Sequence, residues 1–230
     1  MKRLDIYLYS QKISDEMRPA FILGITSSFL VTVIGFAYFI VVLAMFIGGH
    51  MTLPPPEPIQ NFAAIVSLIA APLIVILCAS IHYLVNRNKK IFSFLAVAFS
   101  LVFTTFVCMN RLIQLSIVRL STMEGNTEGL SRFLPYNPRS AMFALEITGW
   151  GAFLGLALLF LAFAFKNQGI SKLTRYTFMV YAFLGIVSSF AFIIDSPLSI
   201  IGFVAWGLIL YLGTGFCTIS LYKFDKNWHE

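Results

Sequence analysis

Six stretches of this chain are each long and apolar enough to fill the core of a lipid bilayer, and no other feature constrains the fold as much. A hydrocarbon core of about 30 Å needs roughly 20 apolar residues in helix. The stretches cover residues 19–47, 62–85, 91–118, 141–165, 176–194 and 198–222. Each is bounded by turn or charge signals. Pro54, Pro55, Pro56 and Pro58 break the first connection, and Asn86-Arg87-Asn88-Lys89-Lys90 forms the second. Gly125 and Asn137-Pro138 punctuate the third, Lys166 to Arg175 makes the fourth, and Asp195-Ser196-Pro197 is the last. Ser196 is placed to cap the sixth helix, with proline in its first position. Hydrocarbon offers no partner to backbone N–H and C=O groups, so spans of this length are helical. Composition agrees: 11% of residues are charged, where soluble domains carry roughly 25%. The expected fold is therefore all-α, a six-transmembrane-helix bundle.

The basic residues then predict which ends face the cytoplasm. Lys2, Arg3, Lys12, Arg18, Arg87, Lys89, Lys90, Lys166, Lys172, Arg175, Lys223 and Lys226 all fall on one side of the six spans. The other side has Arg132 and Arg139, with Arg119 at a helix end. An excess of Lys and Arg marks cytoplasmic loops, so both termini are expected in the cytoplasm and residues 120–140 outside. The expected location is a prokaryotic plasma membrane, crossed several times. Lys2 and Arg3 ahead of an apolar run mimic a signal peptide, but the run is too long and no small-residue cleavage site follows Ile47, so the first span is read as uncleaved. Ile6, Tyr9, Ile13 and Met17 stand at helical spacing in residues 1–18, which fits either a short interfacial helix or a solvated tail.

Several functions are set aside by what the chain lacks. The +6 net charge is scattered over short loops and forms no stripe for nucleic acid. Three cysteines, Cys78, Cys108 and Cys217, sit inside apolar runs and exclude a disulfide framework. His50, His82 and His229 lie in different segments, with no metal-ligand spacing. Neither a phosphate-binding glycine loop nor a nucleophile turn is present. No catalytic residue, metal or cofactor is therefore expected. The longest connection, residues 120–140, carries Leu130, Phe133, Leu134 and Tyr136 and is expected to lie on the membrane or cap the bundle. No segment outside the spans is long enough for a catalytic domain.

Small residues mark the faces on which membrane helices pack. Gly24, Ser28, Thr32 and Gly35 form such a face on the first span; Ala144, Thr148, Gly151, Gly155 and Ala162 form one on the fourth. Pro72 is expected to kink the second span. Gly213-Thr214-Gly215 reads as packing in the sixth. Three spans per half satisfy the parity of an inverted repeat, but the halves share no residue-level match.

The polar residues inside the spans cluster near the outer side. Asn110, Arg111 and Gln114 lie on the third span, and Glu146 and Trp150 on the fourth. Arg111 lies eight residues before Arg119, and Glu146 eight after Pro138, so both are roughly 12 Å deep at 1.5 Å per residue. Equal depth makes them partners. An arginine within a span must face protein, water or an anion. One reading is a shallow pocket, with Arg111 binding an anion or carboxylate, Asn110 and Gln114 orienting it, Glu146 as counter-ion or proton acceptor, and Trp150 on the same face. The other is a structural ion pair that pins the third helix to the fourth, with Arg119 reaching to headgroup phosphate. Asp195 reads as a turn residue.

Asn110 to Gln114, Gly125-Asn126-Thr127-Glu128-Gly129-Leu130, and Asn137-Pro138 followed by Ala144-Leu145-Glu146, Gly149 and Gly151 together resemble a pattern in uncharacterised multi-spanning proteins of bacteria and archaea. That resemblance implies six spans and supplies no activity, substrate or cofactor. The residues themselves lead to the expectation of binding or transport of a small polar or amphipathic ligand through an outer-side pocket. An interaction module for another membrane protein or a lipid is the alternative, and a membrane-embedded enzyme comes third. The expected partners are membrane lipids, a small polar or anionic ligand, and a membrane-protein partner or a second copy of the chain.

Overall fold

The structure is a computed structural model that describes residues 15–50, 52, 55–126, 128–134 and 137–229. It is an all-α bundle of six long helices: α1 Arg18–Ile47, α2 Glu57–Leu84, α3 Arg87–Met123, α4 Ala141–Ala162, α5 Gly169–Ile193 and α6 Pro197–Phe224. All six are long and apolar enough to cross a membrane, which makes this a multi-pass membrane protein. Several helices run past their apolar runs. α5 begins at Gly169, so Lys172 and Arg175 stand on its first two turns. Long basic side chains permit this, because their stems lie along apolar surface while the charge reaches water. The interfacial helix considered for residues 4–17 lies outside the described residues apart from a turn at Asp15–Met17.

Each helix packs against its neighbours in sequence, and α6 returns to pack against α1. The result is a closed, alternating ring of six. Its interior is filled in the middle by Ile74, Leu77, Phe103, Phe178 and Tyr181, all fully buried. The outward faces carry exposed Ile, Leu, Val and Phe, including Phe29, Ile65, Leu101 and Phe183, the surface that a lipid solvent stabilises.

The small-residue faces form the tightest seams. On α1, Ser28 Oγ accepts from Thr218 Oγ1 at 2.8 Å, and Thr32 and Thr214 share a hydroxyl pair at 2.8 Å, both across to α6. Gly35 continues this seam by lying flat against the Tyr211 ring; a Cβ there would meet ring carbons at 2.0 Å. On α4, Gly151 meets Gly185 of α5 backbone to backbone: a Cβ on Gly151 would sit 2.6 Å from the Gly185 carbonyl oxygen. Gly213 packs on the Phe178 ring and Gly215 on Thr32, and α6 continues through both. α2 likewise continues through Pro72, and Thr104 of α3 donates to the Ala71 carbonyl at 3.0 Å.

The connections at the end opposite the basic loops are built by side-chain caps. Ser140 accepts from the Phe143 N–H at 3.0 Å and donates to the Leu134 carbonyl at 2.7 Å, closing the 120–140 segment onto α4. Asn137 donates to Ser131 at 2.9 Å. Leu130 is buried while Gly129 and Ser131 beside it are exposed, so its apolar side chain anchors this segment. Asp195 adopts φ 54°, the left-handed turn conformation that Asp and Asn tolerate. Ser196 caps the next turn, which opens at Pro197.

Candidate functional site

The third helix delivers three polar side chains to one face because Asn110, Arg111 and Gln114 are spaced within one turn. All three are buried. Arg111 forms an ion pair with Glu146 of α4 through Nη2 and donates from Nη1 to Gln114 Oε1 at 2.8 Å. Asn110 Nδ2 donates to the other Glu146 oxygen at 2.7 Å and to the Met142 carbonyl at 3.2 Å. Gln114 Nε2 donates to the Gln60 carbonyl of α2 at 3.3 Å. The Gln60 side chain in turn donates to the Pro55 carbonyl at 2.7 Å. A continuous chain of hydrogen bonds thus runs from the proline-rich connection, across α2 and α3, to α4.

The remaining helices contribute tyrosines. Tyr38 of α1 is within electrostatic reach of both Arg111 and Glu146. Tyr211 of α6 is coupled to Tyr38 in the same way, and Tyr181 of α5 to Glu146 and Tyr211. Polar side chains of α1, α3, α4, α5 and α6 are thus electrostatically coupled around the pair, and α2 contributes the Gln60 backbone carbonyl. The arginine side chain is 8% exposed and the glutamate 17%, so the carboxylate is the more open half of the pair.

Of the residues expected at this site, Asn110, Arg111, Gln114 and Glu146 are brought into direct contact. Trp150 is buried one turn deeper, with its ring edge-on to Phe103 at 4.9 Å. Gly149 and Phe153 share that face and meet Val107 and Phe106 of α3. Arg119 does not join the cluster: it folds back on its own helix, donating to the Leu115 carbonyl at 3.3 Å. Gln60, Tyr38, Tyr181 and Tyr211 were not anticipated. Their signal was present in the sequence as hydroxyl- and amide-bearing residues inside or at the edge of apolar spans, where such groups need partners.

Backbone geometry singles out the same depth. Three π-helical turns interrupt the helices at Gln114–Val118, Thr148–Phe153 and Ala205–Ile209. Such turns are rare and recur at functional sites. They shift the hydrogen-bond ladder and release carbonyls, and at the α4 turn α5 supplies donors. Tyr181 donates to the Trp150 carbonyl at 2.7 Å and Ser189 to the Ile147 carbonyl at 3.0 Å. One π turn begins with Gln114, and the other two carry Trp150 and Trp206.

Four buried polar atoms at this level have no hydrogen-bond partner among the described residues: Arg111 Nε, Asn110 Oδ1, Trp150 Nε1 and Trp206 Nε1. Each such atom costs about 1–3 kcal/mol when left unmet. The cluster offers donors and an acceptor around a charge-balanced pair. Among the described residues it has one carboxylate, that of Glu146.

Fold and site together define a helical multi-pass membrane protein with a charge-paired polar centre inside its ring. Comparison with family models, with curated proteins and with solved structures finds no match.

Proposed function

We propose that the chain binds a small polar or amphipathic ligand at the Arg111–Glu146 centre and serves in its uptake or transfer across a prokaryotic plasma membrane. One observation carries this reading: beside the ion pair that joins α3 to α4, Arg111 Nε, Asn110 Oδ1 and Trp150 Nε1 are buried without partners among the described residues. A purely structural ion pair would be expected to leave fewer such atoms, since native proteins satisfy most buried polar groups. The Arg111 charge is already balanced by Glu146, which favours a neutral or zwitterionic ligand over a free anion. The basic end is taken as cytoplasmic, so the centre lies in the outer half of the bundle.

A thermal-shift screen of polar small molecules tests this, run in parallel on the parent and on the double variant Arg111→Met with Glu146→Leu. Compounds that protect the parent should fail to protect the folded double variant. Equal protection of both would remove the centre as the site.

A second reading, as an interaction module for another membrane protein, is favoured by α1, the least buried of the six spans. Cross-linking from cysteines at Phe29 and Ile40, both exposed, would trap a neighbour on that face; monomer alone under saturating cross-linker would reject this reading.

A further inference from the structure

At the basic end two loops that are far apart in sequence are joined by a cation–aromatic stack. Lys89 Nζ lies 5.6 Å from the Phe92 ring centre, Phe92 lies 5.1 Å from Phe163, and the Arg175 guanidinium lies 5.7 Å from Phe163 on α5. Arg175 also donates to the Phe165 carbonyl at 3.4 Å, and Val85 and Phe165 each take part in a single backbone bridge. Residues 85–91 and 163–176 contain Arg87, Lys89, Lys90, Lys166, Lys172 and Arg175 and no Asp or Glu. Arg87, Lys172 and Arg175 pair with no carboxylate among the described residues. The fold therefore concentrates like charge from two loops, which repel one another unless a counter-charge is shared between them.

The position of this patch says what supplies that counter-charge. Ile91, Phe94, Leu173 and Tyr176 are large, exposed and adjacent to the cations, and Lys172 Nζ lies 6.0 Å from the Tyr176 ring centre. Exposed apolar side chains beside tyrosine and lysine mark the headgroup level of a bilayer. A soluble polyanion would meet apolar surface there; a phospholipid would lay its acyl chains along it.

We infer that the joined loops 85–91 and 163–176 form a binding site for an anionic phospholipid of the leaflet at the basic end, its phosphate facing Arg87, Lys172 and Arg175. This site lies at the opposite end of the bundle from the polar centre and does not depend on the function proposed for it. Basic clusters at the cytoplasmic ends of membrane helices hold anionic headgroups by charge, at the level where the chains enter the apolar phase.

The test uses the purified full chain in neutral detergent, with short-chain phosphatidylglycerol or phosphatidylcholine added to the micelles and the melting temperature followed. A ligand that binds only the folded state raises it. Phosphatidylglycerol is expected to raise the melting temperature above the phosphatidylcholine value. The variant Arg87→Gln with Lys172→Gln, both exposed positions, is expected to lose most of that rise. The charge-matched variant Arg132→Gln with Arg139→Gln, at the opposite end, is expected to keep it. Inorganic phosphate and polyglutamate at equal ionic strength are expected to give no rise. Equal responses to the two lipids, an undiminished response in the Arg87/Lys172 variant, or an equal loss in the Arg132/Arg139 variant would overturn the site. A rise with phosphate or polyglutamate that matches phosphatidylglycerol would overturn it in favour of a soluble anion. If the Arg87/Lys172 variant melts lower before lipid is added, Lys172→Gln alone replaces it and carries the same expectations.

Discussion

Glu146 does two jobs through its two carboxylate oxygens: one neutralises Arg111 and the other fixes the Asn110 amide. Removing its charge leaves a buried guanidinium without a counter-charge, with neutral amide oxygens alone to accept from it. Breaking one side of a buried pair costs about 3–5 kcal/mol, and the partial exposure of Glu146 puts the expected cost of Glu146→Gln near the lower end. The double change Arg111→Met with Glu146→Leu should recover much of that loss, because well-packed apolar side chains often match a buried ion pair. Reversible unfolding in mixed detergent measures both. A double variant no more stable than Glu146→Gln would mean that the pair stabilises the bundle beyond mutual neutralisation. Four of the five side chains expected here were legible as polar groups stranded in apolar runs, and Trp150 was legible by its helical spacing from Glu146. Tyr38, Tyr181 and Tyr211 were not, since a tyrosine in a span reads equally as an interfacial anchor or a core residue until its hydroxyl partner is known.

Among the elements, α4 is held between two partners by its two faces. Glu146, Gly149, Trp150 and Phe153 meet α3, while Gly151 and Gly155 meet α5. The small-residue stripe predicted the second face, because only glycine lets two backbones approach this closely. The two glycines differ in what opposes them. A Cβ on Gly151 would meet Ser189 Oγ at 2.2 Å and the Gly185 carbonyl oxygen at 2.6 Å, while one on Gly155 would meet a flexible Ile186 side chain at 3.1 Å. Gly151→Ala should therefore cost about 1–3 kcal/mol, the range for overpacking, and Gly155→Ala less than about 1 kcal/mol. Thermal unfolding of the two variants side by side checks the order; equal losses would mean that α4 and α5 can separate at Gly151 without penalty. Gly151 lies within the π turn that Tyr181 and Ser189 stabilise, so Gly151→Ala should also weaken any ligand protection found at the polar centre. The π turns themselves had no local signature in the sequence: at the α4 turn the released carbonyls are met by donors on another helix.

For the whole molecule, the alternation of basic and non-basic connections predicts that Asn88 and Glu124 lie on opposite sides of the membrane. Both are exposed. Single cysteines at these positions, in a background with Cys108 replaced by serine, should react with an impermeant maleimide from opposite sides of sealed vesicles. Reaction of both from one side would sink the span order. The sequence alone determined the number of helices, their approximate ends, the expected sidedness and the packing faces of the first and fourth spans. All of these follow from one-dimensional quantities: the length of apolar runs, the charge of the loops and the helical period. Only the tertiary structure decided that the six helices close into a ring through α1 and α6, that Gln114 reaches the Gln60 carbonyl of α2, and that two basic loops meet over Phe92 and Phe163. The physical reason is that the helical period reveals which face of a span avoids lipid and carries no information about the helix that face meets. That choice is made by close packing and hydrogen bonds between residues distant in the chain, such as Thr32 with Thr214 and Gly35 with Tyr211.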